Sequence, residues 1–563
     1  MDQHRRPTQV TDGFDKKKKL AREIQMEEEN QANYRLTYDG MDRRQFLMRA
    51  AALGLSATAL SVLLEACGSV EAPSPVPTPV PPPAPVPPAA VPLPPASPIP
   101  AAAPPAPTPS PVPTPSPDPT PTPAPEPVAA LNTERGRMGH LLRRAGFGAN
   151  EEELSRFTAM GVSATVDNLV DFEKIDDTDL ENRLSGIDLN LDKAADLKRW
   201  WFLRMIYTKR PLQEKMVLFW HGLLTSGYSK VSRGPYMHTQ NETLRELCVG
   251  PFGDLLKAIA RDPAMLIWLD SQVNKKAAPN ENFSRELMEL FSMGVGNYTE
   301  GDVRESARAF TGWLLRRRVF YFEPNQHDNG SKLFLGHTGN FGGDDVIDII
   351  TEQPVTAEFI SHKLFSFFAY DDPSPDVISR LAGVLRETNF TIKEVVRQIL
   401  TSPEFFSAKA YRAKIKSPVE LVASTVRTLN IETDAAGLPG YADRMSQALF
   451  DPFDVSGWPG GAAWINSNTL FQRLNFANAV SIARRGNFKF DPLETTRRLN
   501  LSTADQVLTH FTNLLLDGNM SDEERNILKA FGTLDTYGSS RVVDEKLRSL
   551  VYLIMASPDY QLA

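Results

Sequence analysis

Five side chains in this 563-residue sequence are of types that could carry acid–base chemistry or hold a metal ion. They are His221, Glu286, Glu289, His327 and Asp328. Imidazole nitrogens and carboxylate oxygens are metal ligands in proteins, and both groups also transfer protons in hydrolytic reactions. We therefore take these five residues as the candidate catalytic set and leave the identity of any metal or cofactor open.

Glu286 and Glu289 belong to the segment 279–313, whose apolar side chains repeat with a helical period. Two carboxylates three residues apart lie near each other on a helix, where they could bind a metal or divide acid and base roles. That division requires a cleft that raises the pKa of one carboxyl group. The alternative is an ordinary charged flank, in which Arg285 and Glu289 form an i,i+4 pair worth only about 0.3 kcal/mol.

His221 lies in the run KMVLFWHGLLTS, residues 215–226, which is apolar on nearly every side of a predicted helix. Burial would lower the pKa of this histidine and keep the ring neutral. A neutral imidazole suits either a metal ligand or a hydrogen-bonded core residue, and both interpretations stay open.

His327 and Asp328 directly precede Asn329-Gly330, a strong turn dipeptide. Strand-like runs at 319–322 and 332–335 flank this turn, so the sequence predicts one hairpin with His327, Asp328 and Lys332 at its tip. Turn chemistry alone accounts for the residues from Asp328 to Gly330. Only His327 and Lys332 then call for a chemical explanation.

Aromatic residues supply the candidate binding set, which is Trp313, Trp458, Trp464 and Asn466. Three of the four lie in GWPGGAAWINSNTL, residues 457–470, where backbone turns stand beside two tryptophans. Such turns with aromatic walls can line a sugar or peptide site. They can equally wedge a loop between helices.

Helical patterns dominate the elements that must position these residues. In Pro251–Leu269 the apolar residues follow a helical period that breaks at Asp262-Pro263, and Ser521 with Glu524 forms a capping box. We predict a mainly all-α fold for residues 131–563, a large multi-helix body with a small β-hairpin excursion near 318–336. Cys248 lies in an apolar helix and is predicted to be a buried thiol.

A disordered Pro-rich stalk is predicted to precede this body at residues 68–130. Of the 45 prolines, 28 fall between Pro73 and Pro127. Proline lacks the backbone donor that helices and sheets need, so polyproline II is the expected local form. At about 3.1 Å per residue, this stretch could reach roughly 170 Å and hold the body away from a membrane or through a wall layer.

Composition excludes two classes of protein. The folded part carries 50 basic and 56 acidic residues, which argues against nucleic acid as a partner. Two cysteines exclude a disulfide framework and a four-thiolate zinc site. The zinc-protease HExxH, the nucleophile elbow GxSxG, the phosphate loop and a dinucleotide-binding GxGxxG are also missing.

Residues 41–67 read as an export signal that ends in a cysteine. Arg43 and Arg44 precede fifteen uncharged residues from Ala50 to Leu64, and Cys67 follows closely. A helix of that length spans about 22 Å, less than the ~30 Å of a bilayer core, which is typical of a cleaved signal. The arginine pair resembles the twin-arginine signal, and residues 64–67 resemble a lipobox whose cysteine is lipidated.

Three alternatives to this interpretation stay open. They are the ordinary secretory route, a plain secreted protein with an incidental cysteine, and a start at Met41. The charged extension at residues 1–40 precedes the signal and would be lost with it. The expected location is the cell envelope, with a lipid anchor holding the protein to the outer face of a membrane.

Six motifs in the body together resemble one bacterial family, the domain of unknown function 1800. They are HLLRRAGFG at 140–148, EKMVLFWH at 214–221, NENFSRELMELFSMGVGNYTEGDV at 280–303, ARAFTGW at 307–313, HDNGSKLFLG at 327–336 and GWPGGAAWINS at 457–467. The resemblance implies an exported, predominantly helical protein and supplies no reaction. It also implies a possible exported partner of the phosphatase or sulfatase-like type. The sequence departs from the family at the usual Trp-His-Asn run, where Gly222 follows His221.

Two function classes follow from these observations. The first is a tethered binding or scaffold protein that acts with an exported partner, using Trp313, Trp458 and Trp464 as contact surface. The second is an envelope hydrolase, with or without a metal, in which His221, Glu286 and the His327-Asp328 pair share a cleft. The stalk and the missing catalytic signatures favour the binding protein.

Overall fold

Helices make up most of the polypeptide that the computed structural model describes, which is residues 128–484, 488–531 and 540–563. The predicted mainly all-α class is confirmed. The helices are α1 Glu134–Arg144, α2 Glu151–Met160, α3 Val162–Val170, α4 Thr178–Ser185, α5 Ala194–Tyr207, α6 Pro211–Leu223, α7 Tyr228–Val231, α8 Gly234–Leu247, α9 Phe252–Ala260, α10 Pro263–Trp268, α11 Asn282–Glu286, α12 Glu300–Ala309, α13 Gly343–Glu352, α14 Pro354–Phe368, α15 Pro375–Glu387, α16 Ile392–Thr401, α17 Pro418–Thr428, α18 Leu438–Arg444, α19 Ser467–Ile482, α20 Pro492–Arg498, α21 Ala504–Leu516, α22 Asp522–Phe531 and α23 Ser540–Ala556.

The predicted extension, signal and lipidated cysteine lie outside the described residues, as does the stalk up to residue 127. The first described element is a 3₁₀ helix at Ala129–Asn132. Among the described helices, none is long and apolar enough to cross a membrane.

Local capping chemistry sets where many helices begin. The predicted capping box before α22 is present, with the Ser521 backbone N–H and the Glu524 side chain 3.2 Å apart and the reciprocal bond also at 3.2 Å. The predicted break between α9 and α10 is present too, where Asp262 caps α10 and Pro263 takes its first position. Both follow from rules that act within four residues of the chain, so the sequence alone sufficed.

The core is one continuous apolar cluster to which most of these helices contribute. Trp201 on α5 and Trp220 on α6 are among the largest side chains that are fully buried. Both of these indoles have a hydrogen-bond acceptor: Trp201 Nε1 donates to Glu214 at 2.9 Å, and Trp220 Nε1 donates to the Cys248 carbonyl at 2.8 Å. The Cys248 thiol is buried as predicted, and burial raises its pKa far above the ordinary value.

Two small hairpins replace the single hairpin that the turn dipeptide predicted. Strand β1 (Trp313–Arg316) pairs antiparallel with β2 (Val319–Phe322), and β3 (Lys332–Phe334) pairs with β4 (His337–Gly339). The predicted pairing of 319–322 with 332–335 around Asn329-Gly330 is therefore wrong.

The reason lies in the two-residue loops that close the real hairpins. Arg317 and Arg318 have φ of 48° and 73°, and Leu335 and Gly336 have φ of 45° and 84°. Positive φ at both loop residues is the geometry that matches the twist of the paired strands. Three of these four residues are poor candidates for that geometry by sequence, which hid both turns. A third antiparallel pairing, between strands of two residues each, links β5 (Glu432–Thr433) to β6 (Phe488–Lys489).

Candidate functional site

His221 lies on α6 with 1 % of its surface exposed. Its Nε2 accepts a hydrogen bond from the Phe450 backbone N–H at 3.1 Å. The accepting nitrogen carries no proton, so the ring is the neutral tautomer protonated at Nδ1. Burial lowers the pKa of His221 to about 4, which keeps the ring neutral at physiological pH.

The loop after Phe450 places a second predicted residue beside His221. The Trp458 ring lies 5.6 Å from the His221 ring, and Thr225 Oγ1 donates to the Val455 carbonyl at 2.6 Å. At Gly457, with φ of 86°, an added Cβ would lie only 2.3 Å from the Gly222 carbonyl oxygen. Glycine is therefore required at position 457, because it lets the loop after Phe450 pack directly against the end of α6.

His327 and Asp328 lie between the two hairpins rather than at a hairpin tip. His327 is buried, and its Nδ1 lies 2.9 Å from the Thr311 carbonyl oxygen. Asp328 forms an ion pair with Arg308 at 2.7 Å, and the hydrogen bond from Arg308 lowers the pKa of Asp328 to about 2. Lys332 Nζ donates to the Asp328 carbonyl at 2.7 Å. These groups are engaged in holding the connection between β2 and β3.

The spacing predicted that Glu286 and Glu289 share a regular α-helix, and this prediction is wrong. Helix α11 ends at Glu286 and continues as a π-helix, Leu287–Ser292, in which the Met293 N–H donates to the Met288 carbonyl at 2.9 Å. Wider π turns break the 3.6-residue relation between the two carboxylates, and such turns occur frequently at functional sites.

Glu289 still affects the ionisation of Glu286. Burial raises the pKa of the half-buried Glu286, and the charge of Glu289 raises it further. Glu289 Oε2 accepts a hydrogen bond from the Tyr298 hydroxyl at 2.5 Å. Burial, followed by this hydrogen bond to Glu289, raises the pKa of Tyr298 to about 12. Within the candidate catalytic set, Glu286 is the described residue whose pKa is shifted by the charge of another member, Glu289.

The candidate binding residues are mostly buried. Trp313 and Trp464 lie below the surface, and Trp458 is half-buried. Trp313 packs against Phe320 with ring centroids 5.1 Å apart. Asn466 caps α19, where its Oδ1 accepts from the Thr469 backbone N–H at 2.9 Å. Aromatic area open to a partner comes instead from other residues, namely Tyr321, Phe322, Phe453 and Phe471.

The two candidate histidines have different contacts. His221 contacts Trp201, Phe450 and Trp458 through its ring, whereas His327 contacts Thr311 and Phe322. These two sets of contacts have no residue in common. Among the residues that the structure describes, no three His, Cys, Asp or Glu side chains group closely enough to hold a metal ion.

A cavity of about 230 Å³ opens where α2, α20 and α21 meet the end of α17. Ten of its lining residues have charged or hydroxyl side chains, and the buried rings of Phe490 and Phe511 together with Leu429 and Leu514 form its apolar part. The charged and hydroxyl residues are Glu151, Glu152, Thr428, Glu432, Lys489, Asp491, Glu494, Thr495, Arg498 and His510.

His510 on α21 is the most constrained of these residues. Its Nδ1 lies 3.7 Å from Glu151 Oε2, and its buried Nε2 has no hydrogen-bond partner among the described residues. Burial lowers the pKa of His510, which the charge of Glu151 partly offsets. No motif drew attention to this residue, although a histidine inside the apolar run VLTHFTNLL is the same kind of signal that singled out His221.

Comparisons with known proteins identify a family without a reaction. A family model described as "Protein of unknown function (DUF1800)" matches residues 140–562. Neither a curated protein nor a solved structure matches the chain.

Proposed function

Because the chain belongs to the family described as "Protein of unknown function (DUF1800)", we propose its function from its own residues. We propose an exported, lipid-anchored cell-envelope protein that works as a tethered binding protein together with an exported partner, of the phosphatase or sulfatase-like type that the resemblance implies. The binding part of this proposal rests on one observation, the charged cavity beside His510.

The anchoring part rests on the order of elements along the sequence. The twin-arginine-like pair Arg43-Arg44, a short apolar run and Cys67 come first, the Pro-rich stretch follows, and the first described helical element starts at Ala129. If the signal is removed at Cys67, the Pro-rich stretch would be the linker between the lipidated cysteine and the body of the mature protein. Its reach would let the body contact material far from the membrane surface.

Lipid attachment at Cys67 is the first testable prediction. Labelled palmitate should enter the wild-type protein and not the Cys67→Ala variant, because only the cysteine can carry the acyl chains. The measurement is autoradiography of the protein immunoprecipitated from cells. Cys248→Ala is the matched control, since its buried thiol is not expected to be acylated, and it should label like the wild type. Equal labelling of Cys67→Ala would contradict the anchor.

The body binds rather than reacts because its predicted catalytic groups already have structural partners. His221 holds a backbone N–H, Asp328 neutralises Arg308, and His327 meets a backbone carbonyl. In the cavity, by contrast, Glu152, Glu494 and Arg498 make no side-chain hydrogen bond or ion pair with any described residue. Uncommitted polar groups in a concave site are what a polar ligand needs.

A saccharide unit of a wall glycan is the ligand that we propose for this cavity. The cavity is lined by charges of both signs, by hydroxyl groups and by the rings of Phe490 and Phe511. This lining suits a neutral, hydroxyl-rich ligand better than an ion. A volume of about 230 Å³ fits one sugar ring rather than a folded partner. The Pro-rich linker would let the body reach such a polymer.

Binding to the wall tests this assignment. The full chain should sediment with purified peptidoglycan sacculi, and Glu494→Gln or His510→Gln should weaken that binding about tenfold, since each removes a hydrogen bond worth roughly 1.5 kcal/mol. Glu387→Gln, which removes the same charge from an exposed position on α15, is the matched control. Sedimentation that is equal in all variants, or absent in the wild type, would contradict the saccharide site.

An envelope hydrolase, possibly metal-assisted, is the second candidate, and the raised pKa of Glu286 favours it. A carboxyl group whose pKa is raised by burial and by a neighbouring carboxylate is a candidate general acid. The same sacculi distinguish the two functions. Release of soluble fragments that stops in Glu286→Gln would establish the hydrolase, whereas binding without release leaves the binding protein.

A further inference from the structure

Three basic side chains meet in the interior around a single carboxylate. Arg143 lies in the last turn of α1, Arg412 and Lys416 lie between α16 and α17, and Asp517 directly follows α21. Arg143 Nη1 lies 2.8 Å from Asp517 Oδ2, and Arg412 Nη2 lies 3.6 Å from the same oxygen. The side chains of Arg143 and Asp517 are 9 % and 3 % exposed, so this is a buried site.

Lys416 is buried beside this group without an acidic partner of its own. Its Nζ donates to the Tyr560 carbonyl at 2.7 Å and lies 3.7 Å from the centre of the Tyr560 ring. No described carboxylate forms an ion pair with Lys416 Nζ within 4.0 Å. The nearby Glu420 pairs with Lys215 instead. Buried charges normally have partners, so three cations facing one carboxylate leave this site short of negative charge.

Electrostatics shows the same deficit. Burial holds the pKa of Lys416 well below its usual value, and repulsion from Arg143 and Arg412 lowers it further, although attraction to Asp517 and Glu420 partly offsets these effects. A negative charge next to Nζ would offset both effects and keep the ammonium form.

A small cavity lies at this point. Its volume is about 30 Å³, and its polar lining includes Arg143, Lys416, Asp517 and Tyr560, while leucine and alanine side chains supply much of the rest. The Nε and Nη2 atoms of Arg143 are buried and have no hydrogen-bond partner among the described residues. Asp517 Oδ2 is already occupied by Arg143 and by the Tyr411 hydroxyl at 3.1 Å.

We propose that this cavity is a binding site for a small monovalent inorganic anion of the size of chloride, held by Arg143 and Lys416. The cavity has room for one or two species as large as a water molecule, so sulfate and phosphate are too large for it. The anion supplies the missing charge and ties α1 to the segment before α17 and to the end of α21.

Thermal unfolding of the full chain tests the site at constant ionic strength. Replacing sodium gluconate by sodium chloride should raise Tm by several degrees and then saturate, because an anion bound only by the folded state stabilises it by mass action. Gluconate is too large to enter. In Lys416→Met the chloride-dependent rise should vanish, whereas it should persist in Lys414→Met, whose ammonium pairs with Asp371 instead.

A second measurement keeps the proposal falsifiable if Lys416→Met does not fold. Chloride-35 NMR on the wild-type chain should show line broadening beyond that of the buffer, and added bromide should reverse it by competition. Identical Tm values in the two salts together with no excess broadening would overturn the proposal and assign the cavity to water alone. Equal stabilisation by chloride in wild type and Lys416→Met would overturn it as well.

Discussion

Glu214→Ala is expected to lower the free energy of unfolding by about 3–5 kcal/mol, because it leaves buried guanidinium groups without their carboxylate. Glu214 on α6 is 1 % exposed and accepts hydrogen bonds from Arg245 Nε at 2.7 Å and Arg245 Nη2 at 2.9 Å. It also accepts the Trp201 indole N–H and lies 3.9 Å from Arg204. Burial by itself would raise the pKa of Glu214, but the charge of Arg245 prevails and keeps that pKa below its ordinary value.

Glu242→Ala is the matched control for this prediction. Glu242 contacts the same guanidinium, with Arg245 Nη1 at 2.7 Å, but its own side chain is 41 % exposed. Solvent screens that pair, so its loss should cost less than about 1 kcal/mol. Urea unfolding followed by tryptophan fluorescence measures both variants. A similar loss in the two would show that burial does not decide the contribution of Glu214.

Asp262→Asn is expected to remove a large pH dependence of stability. Asp262 is buried at the start of α10, where its Oδ1 accepts the backbone N–H groups of Ala264 at 2.9 Å and Met265 at 3.0 Å. The Gln240 amide adds a third hydrogen bond at 2.8 Å. Burial outweighs these bonds and raises the pKa of Asp262 from 3.8 to about 7.

The sign follows from comparing the two states. Because the folded-state pKa is the higher one, the wild type is stabilised by this proton at low pH and loses that contribution as the pH rises from about 4 to about 7. The loss approaches 4 kcal/mol, at about 1.4 kcal/mol per pKa unit. Asparagine caps a helix as well as aspartate does and does not titrate, so the variant should be the more stable protein at pH 8.

Unfolding free energies at pH 5 and pH 8 provide the measurement. The difference between wild type and Asp262→Asn should change by a few kcal/mol over that interval. Asp491→Asn is the control, since Asp491 caps α20 in the same way, with the Glu494 N–H 3.0 Å from its Oδ1, in a more accessible place. A Asp262→Asn profile parallel to that of the wild type would refute the buried, protonated carboxyl group.

Features that depend on neighbours within a few residues were predictable from the sequence. Asp262-Pro263 and the capping box of Ser521 and Glu524 place helix ends, and the burial of His221 follows from the apolar residues around it. The hairpins were not predictable in the same way. Their turns are at Arg317-Arg318 and Leu335-Gly336, which have positive φ values, whereas the sequence favoured such values at Asn329-Gly330. The π turn after Glu286 was likewise invisible to a period of 3.6 residues.

Sites depend on side chains that meet from distant parts of the chain, and here the sequence offered residue types without partners. His221 and Phe450 are 229 positions apart, so neither segment of the sequence could predict the hydrogen bond from the Phe450 backbone N–H to the imidazole. Two of the residues around the small anion cavity, Arg143 and Asp517, come from opposite ends of the body.

By itself, the sequence determined the helical class and the helix boundaries at Asp262-Pro263 and Ser521, because composition and short-range sterics control these properties. Only the tertiary structure decided which polar groups are committed to the fold and which line cavities. The physical reason is that the pKa and hydrogen bonding of a side chain such as Asp262 or Lys416 depend on burial and on charges brought from far along the chain.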